Sequence, residues 1–316
     1  MSSSISVIIA ARNERANFKD TLATIGTEPD EIIVLDDASD PGQEITHFEF
    51  RDVLVITNKV QLGVGQTREL GSRTAKGDIL LFTDGHMRFP AHWIDRIREG
   101  FDAMGPRALL CSTYLHNKQF PSDWFKGDRI GGATMNHYEK RRAGYGTDSE
   151  FRLSNMHPLP AKLPGSGPVP VPCVIGACYA IHADFYHEIG GFQGLYGYGG
   201  DEQLLSWKAW LAGGTVAYLP NLPVVHVDQS HRKIRVDQVR MFINLLYVTR
   251  ISMGDDWFME MLNILPWWAM GVLPDVMGRY TPTFKRVLDS DDISLRFGLQ
   301  TVGEAITLAG EDYKKL

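Results

Sequence analysis

The sequence predicts an α/β fold: a mostly parallel central sheet flanked by helices, followed by a helical C-terminal extension. Three observations carry this. Short β-branched, apolar runs recur at 5–11, 31–36, 53–57 and 78–83, helical patterns separate them, and each run ends in polar, ligand-type residues. Alternation of this kind is the pattern of parallel βαβ units. In such sheets the ligand crevice lies outside the carboxyl ends of the strands.

Composition sets the outer bounds. The chain has 316 residues, 44% hydrophobic and 22% charged, an ordinary globular balance. That length suits one large domain or two small ones. The net charge of −6 argues against a general electrostatic grip on nucleic acid. Cys111, Cys173 and Cys178 are odd in number and lack metal-finger spacing, and no signal-peptide pattern precedes the first strand, so a reducing, cytoplasmic setting is expected. The most apolar stretch, 258–277, is interrupted by Glu260, Pro266, Pro274 and Asp275, which disfavours a membrane-spanning helix.

Taken in order, Ile5–Ala11 reads as a buried strand ending at Arg12-Asn13-Glu14. Asn13 or Asn17 is positioned to cap a helix starting near Ala16 and stopped by Gly26. The second strand ends in Asp36-Asp37, and the third ends at Asn58. Gly63-Val64-Gly65 opens a helix carrying Arg68. The fourth strand runs into Asp84-Gly85-His86. A helix from His92 and a strand from Ala108 follow. Residues 116–172 mix glycine, proline, aromatic and charged residues and read as a substrate-covering loop region. A strand over 174–181, a short helix from Ala183, a helix from Asp201 to Leu211 and a strand over 215–219 followed by a segment to His226 complete the pattern, and residues beyond 235 read as helical.

The chemistry-bearing residues each have a plainer alternative. Asp84 and His86 offer an oxygen and an imidazole nitrogen one residue apart, a pairing that suits Mn2+ better than an all-oxygen Mg2+ site. A third ligand must come from afar, and His226 and His231 both qualify; a histidine taken alone is more often an ordinary surface or core residue. Gly63-Val64-Gly65 with Arg68 offers backbone N–H groups and a guanidinium to a phosphate, but matches neither the dinucleotide fingerprint nor a P-loop. Asp36-Asp37 offers acceptors to a base or ribose; for at least one of the two, a solvated acidic loop is the plainer reading. Asp201-Glu202 sits where a helix dipole favours carboxylates, or where a general base would stand. Trp207 and Trp210 read as core.

Together these residues resemble the GT-A glycosyltransferases of the family-2 type. Ser6 to Glu14 resembles that family's first strand and nucleotide loop, Ile33 to Ser39 its uracil-binding strand end, Asn58 to Gly71 the segment before the metal motif, and Leu81 to His86 its DxD position with histidine as the last residue. The DxH form, with Gly190-Gly191-Phe192, Gly199-Gly200-Asp201-Glu202, Trp210, Gly213-Gly214 and His226 in order, is similar to the polypeptide N-acetylgalactosaminyltransferases. The resemblance covers residues 4–235 and implies a GT-A domain over 1–235, with a nucleotide-binding half (1–115) and an acceptor and catalytic half (116–235), leaving 236–316 as the helical extension. It implies a UDP-sugar donor held by Ala10, Arg12, Glu14, Asp37, Asn58, Arg68, Asp84 and Gly85. It implies a metal, Mn2+ or Mg2+, at Asp84, His86 and His226, with Arg232 or Lys233 adding charge. Family-2 enzymes read Glu-Asp where this chain reads Asp201-Glu202, so either acid qualifies as the catalytic one.

The implied reaction moves a hexose or N-acetylhexosamine to an acceptor that the sequence does not identify: protein, glycan, lipid and modified nucleic acid all stay open, with basic clusters at Lys140-Arg141-Arg142 and His231 to Arg235 as contacts for an anionic one. Two rivals remain. A sugar-nucleotide nucleotidyltransferase would carry a Gly-rich, lysine-bearing loop after the first strand, where this chain has Ala10 to Glu14. A non-catalytic nucleotide-sugar-binding protein would have no need of both the metal set and the carboxylate pair.

Overall fold

The computed structural model describes residues 3–46, 53–117, 128–135, 156–161, 167–195 and 197–227, with Met241, Asn244, Tyr247 and Val248. Lys140 to Arg142, His231 to Arg235 and nearly all of the expected 236–316 extension lie outside these residues.

Among residues 3–227 the described elements run as β1 (Ile5–Ala11), α1 (Arg15–Ile25), β2 (Glu31–Asp36), β3 (Leu54–Thr57), α2 (Val64–Thr74), β4 (Ile79–Asp84), β5 (Met87–Arg88), α3 (Trp93–Met104), β6 (Ala108–Asn117), β7 (Asp128–Met135), β8 (Met156–Pro160), β9 (Val169–Pro170), β10 (Cys178–His182), α4 (Ala183–Glu188), α5 (Asp201–Leu211) and β11 (Thr215–Val227). One sheet holds them in the order β3-β2-β1-β4-β10-β6-β11-β5, with β7 and β8 extending from β6 and β9 pairing β11.

The first half is parallel throughout, β3-β2-β1-β4, as the sequence pattern requires. The second half is not. β10 enters antiparallel between β4 and β6, so the sheet as a whole is mixed rather than mostly parallel. The alternating βαβ rhythm that signals parallel pairing ends after α3, and β10 is preceded by irregular chain.

Side-chain alternation fills both faces. Ile8, Ile33, Leu35, Leu80 and Phe82 point to one face, where Tyr186, Phe192, Leu204 and Trp207 meet them. Val7, Ile9, Val34 and Leu81 point to the other, against Phe18, Ile25, Trp93 and Ile97. Helices on both faces explain why these strands are continuously apolar. α1 buries Phe18, Thr21 and Ile25, one stripe at helical spacing. α5 buries residues all round, including Trp207, as a helix enclosed by the core must; Trp210 is partly buried and donates its Nε1–H to the Pro172 carbonyl at 3.0 Å.

Several expectations are corrected. Neither Asn13 nor Asn17 caps α1: Glu14 is its N-cap residue without a side-chain cap, and Asn13 instead bonds Asp40. The expected strand 174–181 starts only at Cys178, because Ala177 adopts φ 90°. The stretch 116–172, read as a loop, contains β7, β8 and β9. Asp36 and Asp37 are both buried rather than solvated. Asp36 satisfies turn N–H groups of Ser39 and Ile45 at 2.8 and 2.7 Å, the usual use of an aspartate at a tight turn.

No helix among the described residues is long and apolar enough to cross a membrane. The three cysteines are free and buried.

Candidate active site

The carboxyl ends of β1, β2 and β4 lie side by side, with Ala10 in register with Asp84 on one side and with Leu35 on the other. β4 places Asp84 at its last residue, and its N–H donates to the Ala177 carbonyl at 3.1 Å. The chain then turns through Gly85 and His86 into β5.

β5 pairs antiparallel with β11, matching Met87 with His226. Val227 donates its N–H to the His86 carbonyl at 3.1 Å. This pairing carries His226 across 140 residues of sequence to set its Nε2 2.9 Å from the His86 Nε2. Asp84 Oδ2 lies 3.9 Å from the same His226 nitrogen. One ligand-type atom from each of Asp84, His86 and His226 falls within 4.8 Å of the others.

The donor chemistry fits a divalent ion. Two nitrogens bound at about 2.1 Å and about 90° to one ion stand about 3 Å apart, close to the observed imidazole separation. Two imidazoles and one carboxylate suit a borderline ion over Mg2+ and leave coordination positions open for a ligand. His231 lies outside the described residues, so the geometric case belongs to His226.

Arg68, on α2, is buried and does not present its guanidinium to the crevice as the sequence reading had it. Nη2 donates to Asp84 Oδ1 at 2.7 Å, and Nη1 donates to Asp201 Oδ2 and the Tyr179 hydroxyl, each at 2.7 Å. Burial alone would lower its pKa, but Tyr179, Asp84, Asp201 and Glu202 together hold it above the ordinary arginine value.

Arg68 also separates the two acids of the Gly200-Asp201-Glu202 corner. Asp201 is buried and ion-paired. Glu202 is only partly buried, with its Oε1 packed against the backbone of Gly176. Desolvation and the neighbouring Asp201 carboxylate raise the Glu202 pKa well above the usual carboxylate range, against the pull of Arg68. The turn Gly176-Ala177 thus touches Glu202 with one residue and Asp84 with the next.

The remaining residues that the resemblance expects at the nucleotide form a hydrogen-bonded loop floor. Asp37 accepts from the N–H groups of Leu62 and Gly63 and from Asn58 Nδ2, at 2.8, 2.8 and 2.9 Å. Gly63 has φ 90°, and a Cβ there would run into the Gly197 carbonyl, so a side chain is excluded twice over. Gly197 in turn donates its N–H to the Leu62 carbonyl at 3.0 Å, tying this loop to the glycines before Asp201. Arg12 reaches the Asp37 carbonyl and Asp40 at 3.3 Å each. Glu14 lies inward, 3.0 Å from His86 Nδ1.

Sequence reasoning missed Tyr179 and Asn244. Tyr179 sits in a strand whose apolar neighbours mask its hydroxyl. Asn244 is fully buried and donates to the Tyr198 and Gly199 carbonyls at 3.3 and 2.9 Å, bracing the glycine loop from the stretch beyond 235 read as helical. A lone asparagine within a helical, apolar pattern was the available signal.

The chain has the GT-A fold. It superposes on a crystal structure of GalNAc-T7 with UDP, GalNAc and Mn2+ at a TM-score of 0.64, covering 93% of this chain and 57% of that one at 18% identity. A crystal structure of S. aureus TarS 1-349 in complex with UDP-GlcNAc gives a TM-score of 0.50 at 14% identity, covering 78% of this chain and 66% of that one. Residues 6–157 match the family model described as Glycosyl transferase family 2. It is 28% identical over 293 residues to the probable N-acetylgalactosaminyltransferase 6 of Caenorhabditis elegans, covering 83% of this chain and 44% of that protein. It is 24% identical over 234 residues to human polypeptide N-acetylgalactosaminyltransferase 10, covering 71% and 37%. The chain therefore spans less than half the length of these relatives.

Proposed function

We propose that the chain is a metal-dependent transferase moving a hexose or N-acetylhexosamine from a UDP-sugar to an acceptor. The observation that carries this is the convergence of Asp84, His86 and His226 within 4.8 Å at the strand ends, beside the buried Arg68 cation. The UDP-containing crystal structures that share the fold support the donor class.

When bound, the ion would act as a Lewis acid on the diphosphate leaving group. Asp84, His86 and His226 would hold it, with Mn2+ favoured over Mg2+ by the two imidazoles. Arg68 adds positive potential behind Asp84 from a site of low dielectric, where a fixed charge acts strongly. Ala10, Arg12, Asp37 and Asn58 line the nucleoside side through β1, β2 and the loop they anchor, and Gly85 keeps the turn after Asp84 narrow. On the acceptor side, Asp201 anchors the corner through Arg68, and Glu202 is the acid left to take the acceptor proton if the reaction inverts the anomeric centre; a retaining reaction would need no base there. A raised pKa brings a carboxyl toward the range where proton transfer near neutrality is efficient. Residues 1–235 form the transferase unit in this reading, with residues 236–316 appended to it. The three free, buried thiols support a reducing, cytoplasmic setting.

The test is UDP release from a panel of UDP-sugars with Mn2+, with candidate protein, glycan, lipid and nucleic-acid acceptors read by mass spectrometry. Transfer that disappears in Asp84→Ala supports the proposal. An Asp84→Ala variant with full activity and unchanged metal dependence overturns the metal assignment. Pyrophosphate release from UTP and a sugar 1-phosphate, assayed in parallel, indicates a nucleotidyltransferase, and UDP binding without turnover under any acceptor indicates a binding protein.

A further inference from the structure

We propose that Glu14 is a positioning residue for the metal centre: its carboxylate takes the Nδ1–H of His86 and holds that ring with Nε2 turned toward Asp84 and His226. This deepens the metal-dependent reading above and rests on it. Resemblance places Glu14 in the nucleotide loop; the structure gives it a different task.

The local chain is arranged to send this side chain inward. Asn13 takes a left-handed conformation, φ 56°. Its backbone N–H donates to Ser39 Oγ at 2.8 Å, and its side-chain oxygen accepts the Asp40 N–H at 2.7 Å. Both bonds pin the β1–α1 turn to the loop after β2. Glu14 follows as the N-cap residue of α1, where a side chain ordinarily folds back onto the helix N–H groups. Glu14 makes no such bond. Its backbone carbonyl instead accepts from Asn17 and Phe18 at 2.9 and 3.0 Å, which leaves the carboxylate to cross toward β5.

The far side is fitted to receive it. Glu14 is 6% exposed, and its Oε1 lies 3.0 Å from His86 Nδ1. A Cβ on Gly85 would come within 2.9 Å of Glu14 Cγ, so the residue between the two ligand positions must be small for this approach. Thr21, on the same helix, donates to the Gly85 carbonyl at 2.8 Å and fixes the turn from the other side.

The chemistry follows from the two ring nitrogens. A neutral imidazole carries one proton, and placing it on Nδ1 in a bond to a carboxylate leaves the Nε2 lone pair for the ion. Such partners orient the ring and raise its basicity, and their loss typically weakens metal affinity 10–100-fold.

The test measures Mn2+ affinity by electron paramagnetic resonance of the free ion, thermal unfolding in EDTA, and calorimetric UDP binding in EDTA. The proteins are the full chain, Glu14→Ala, Glu14→Gln and Asp84→Ala. Glu14→Ala is expected to bind Mn2+ about 10–100-fold more weakly than the full chain, with metal-free UDP affinity unchanged. Glu14→Gln, whose amide oxygen still accepts the Nδ1 proton without a charge, is expected to fall between. If Glu14→Ala does not fold, Glu14→Gln decides, at unchanged metal-free melting temperature. Mn2+ affinity at the unmutated level in the Glu14 variants, with Asp84→Ala impaired, overturns the positioning role and leaves the metal site standing. Loss of metal-free UDP affinity with Mn2+ binding intact also overturns it, in favour of a donor contact. A full chain that binds no Mn2+ overturns both readings.

Discussion

Arg68 donates to Asp201 at 2.7 Å from a guanidinium that is itself buried, and its other terminal nitrogen holds Asp84 at the same distance. One cation therefore joins Asp84 at the end of β4 to Asp201 at the start of α5. Removing one partner of a buried ion pair leaves an uncompensated charge and is destabilising by about 3–5 kcal/mol. Arg68→Met is expected to lose stability on that scale in chemical denaturation. Arg68→Met combined with Asp201→Asn is expected to recover part of it, because the orphaned charge goes with its partner. Equal stability of Arg68→Met and the unmutated chain would show that the bridge does not hold the corner.

Glu202 gives a pH signature. Its folded-state pKa is raised, chiefly by desolvation and then by Asp201. The folded state therefore holds the proton more tightly than the unfolded chain. The resulting stability is fully present below the ordinary carboxylate range and is lost as pH rises through the raised value. With metal removed by EDTA, the melting temperature of the unmutated chain relative to Glu202→Gln is expected to fall across that window. A constant difference between the two proteins would contradict the placement of Glu202.

Lys208 gives the opposite sign. It is buried on α5, donates to the carbonyls of Gly190 and Gly191 at 3.0 and 2.7 Å, and has its pKa lowered to about 7 by desolvation, against the attraction of Glu69. Between about 7 and the ordinary lysine value the unfolded chain binds more protons, so stability rises with pH. The slope is about 1.4 kcal/mol per pH unit while the two states differ by a full proton. Relative to Lys208→Met, the unmutated chain is expected to gain stability from pH 7 to pH 9. A flat difference across that range would mean that Lys208 stays charged within the fold.

Much of this arrangement is legible before any coordinates are seen, and the reason is local. β1, β2 and β4 announce themselves because a strand buried on both faces must be apolar throughout, and Asp84 and His86 mark where one ends. The order of motifs pointed to His226 because the chemistry required a third ligand. What stayed hidden depends on contacts between distant residues. The pairing of Asp201, and not Glu202, with a buried cation is set by Arg68, 133 positions earlier. The use of Glu14 is set by His86, 72 positions later. The burial of Asp36 follows from turn N–H groups that no side-chain pattern displays. β10 inserts against the direction of its neighbour, and the irregular chain preceding it gives no sign of this.

The pairing of β5 with β11 has a consequence in time as well as in space. As the chain leaves the ribosome, β1 to β4 with Asp84 and His86 emerge first, and their parallel pairing can be completed early. His226 belongs to β11, the last strand among the described residues, which must lie alongside β6 and β5 before its imidazole reaches His86. A chain stopped between residues 86 and 226 therefore carries Asp84 and His86 without His226. On the proposed metal reading, capture of the ion would wait for β11 to reach β5.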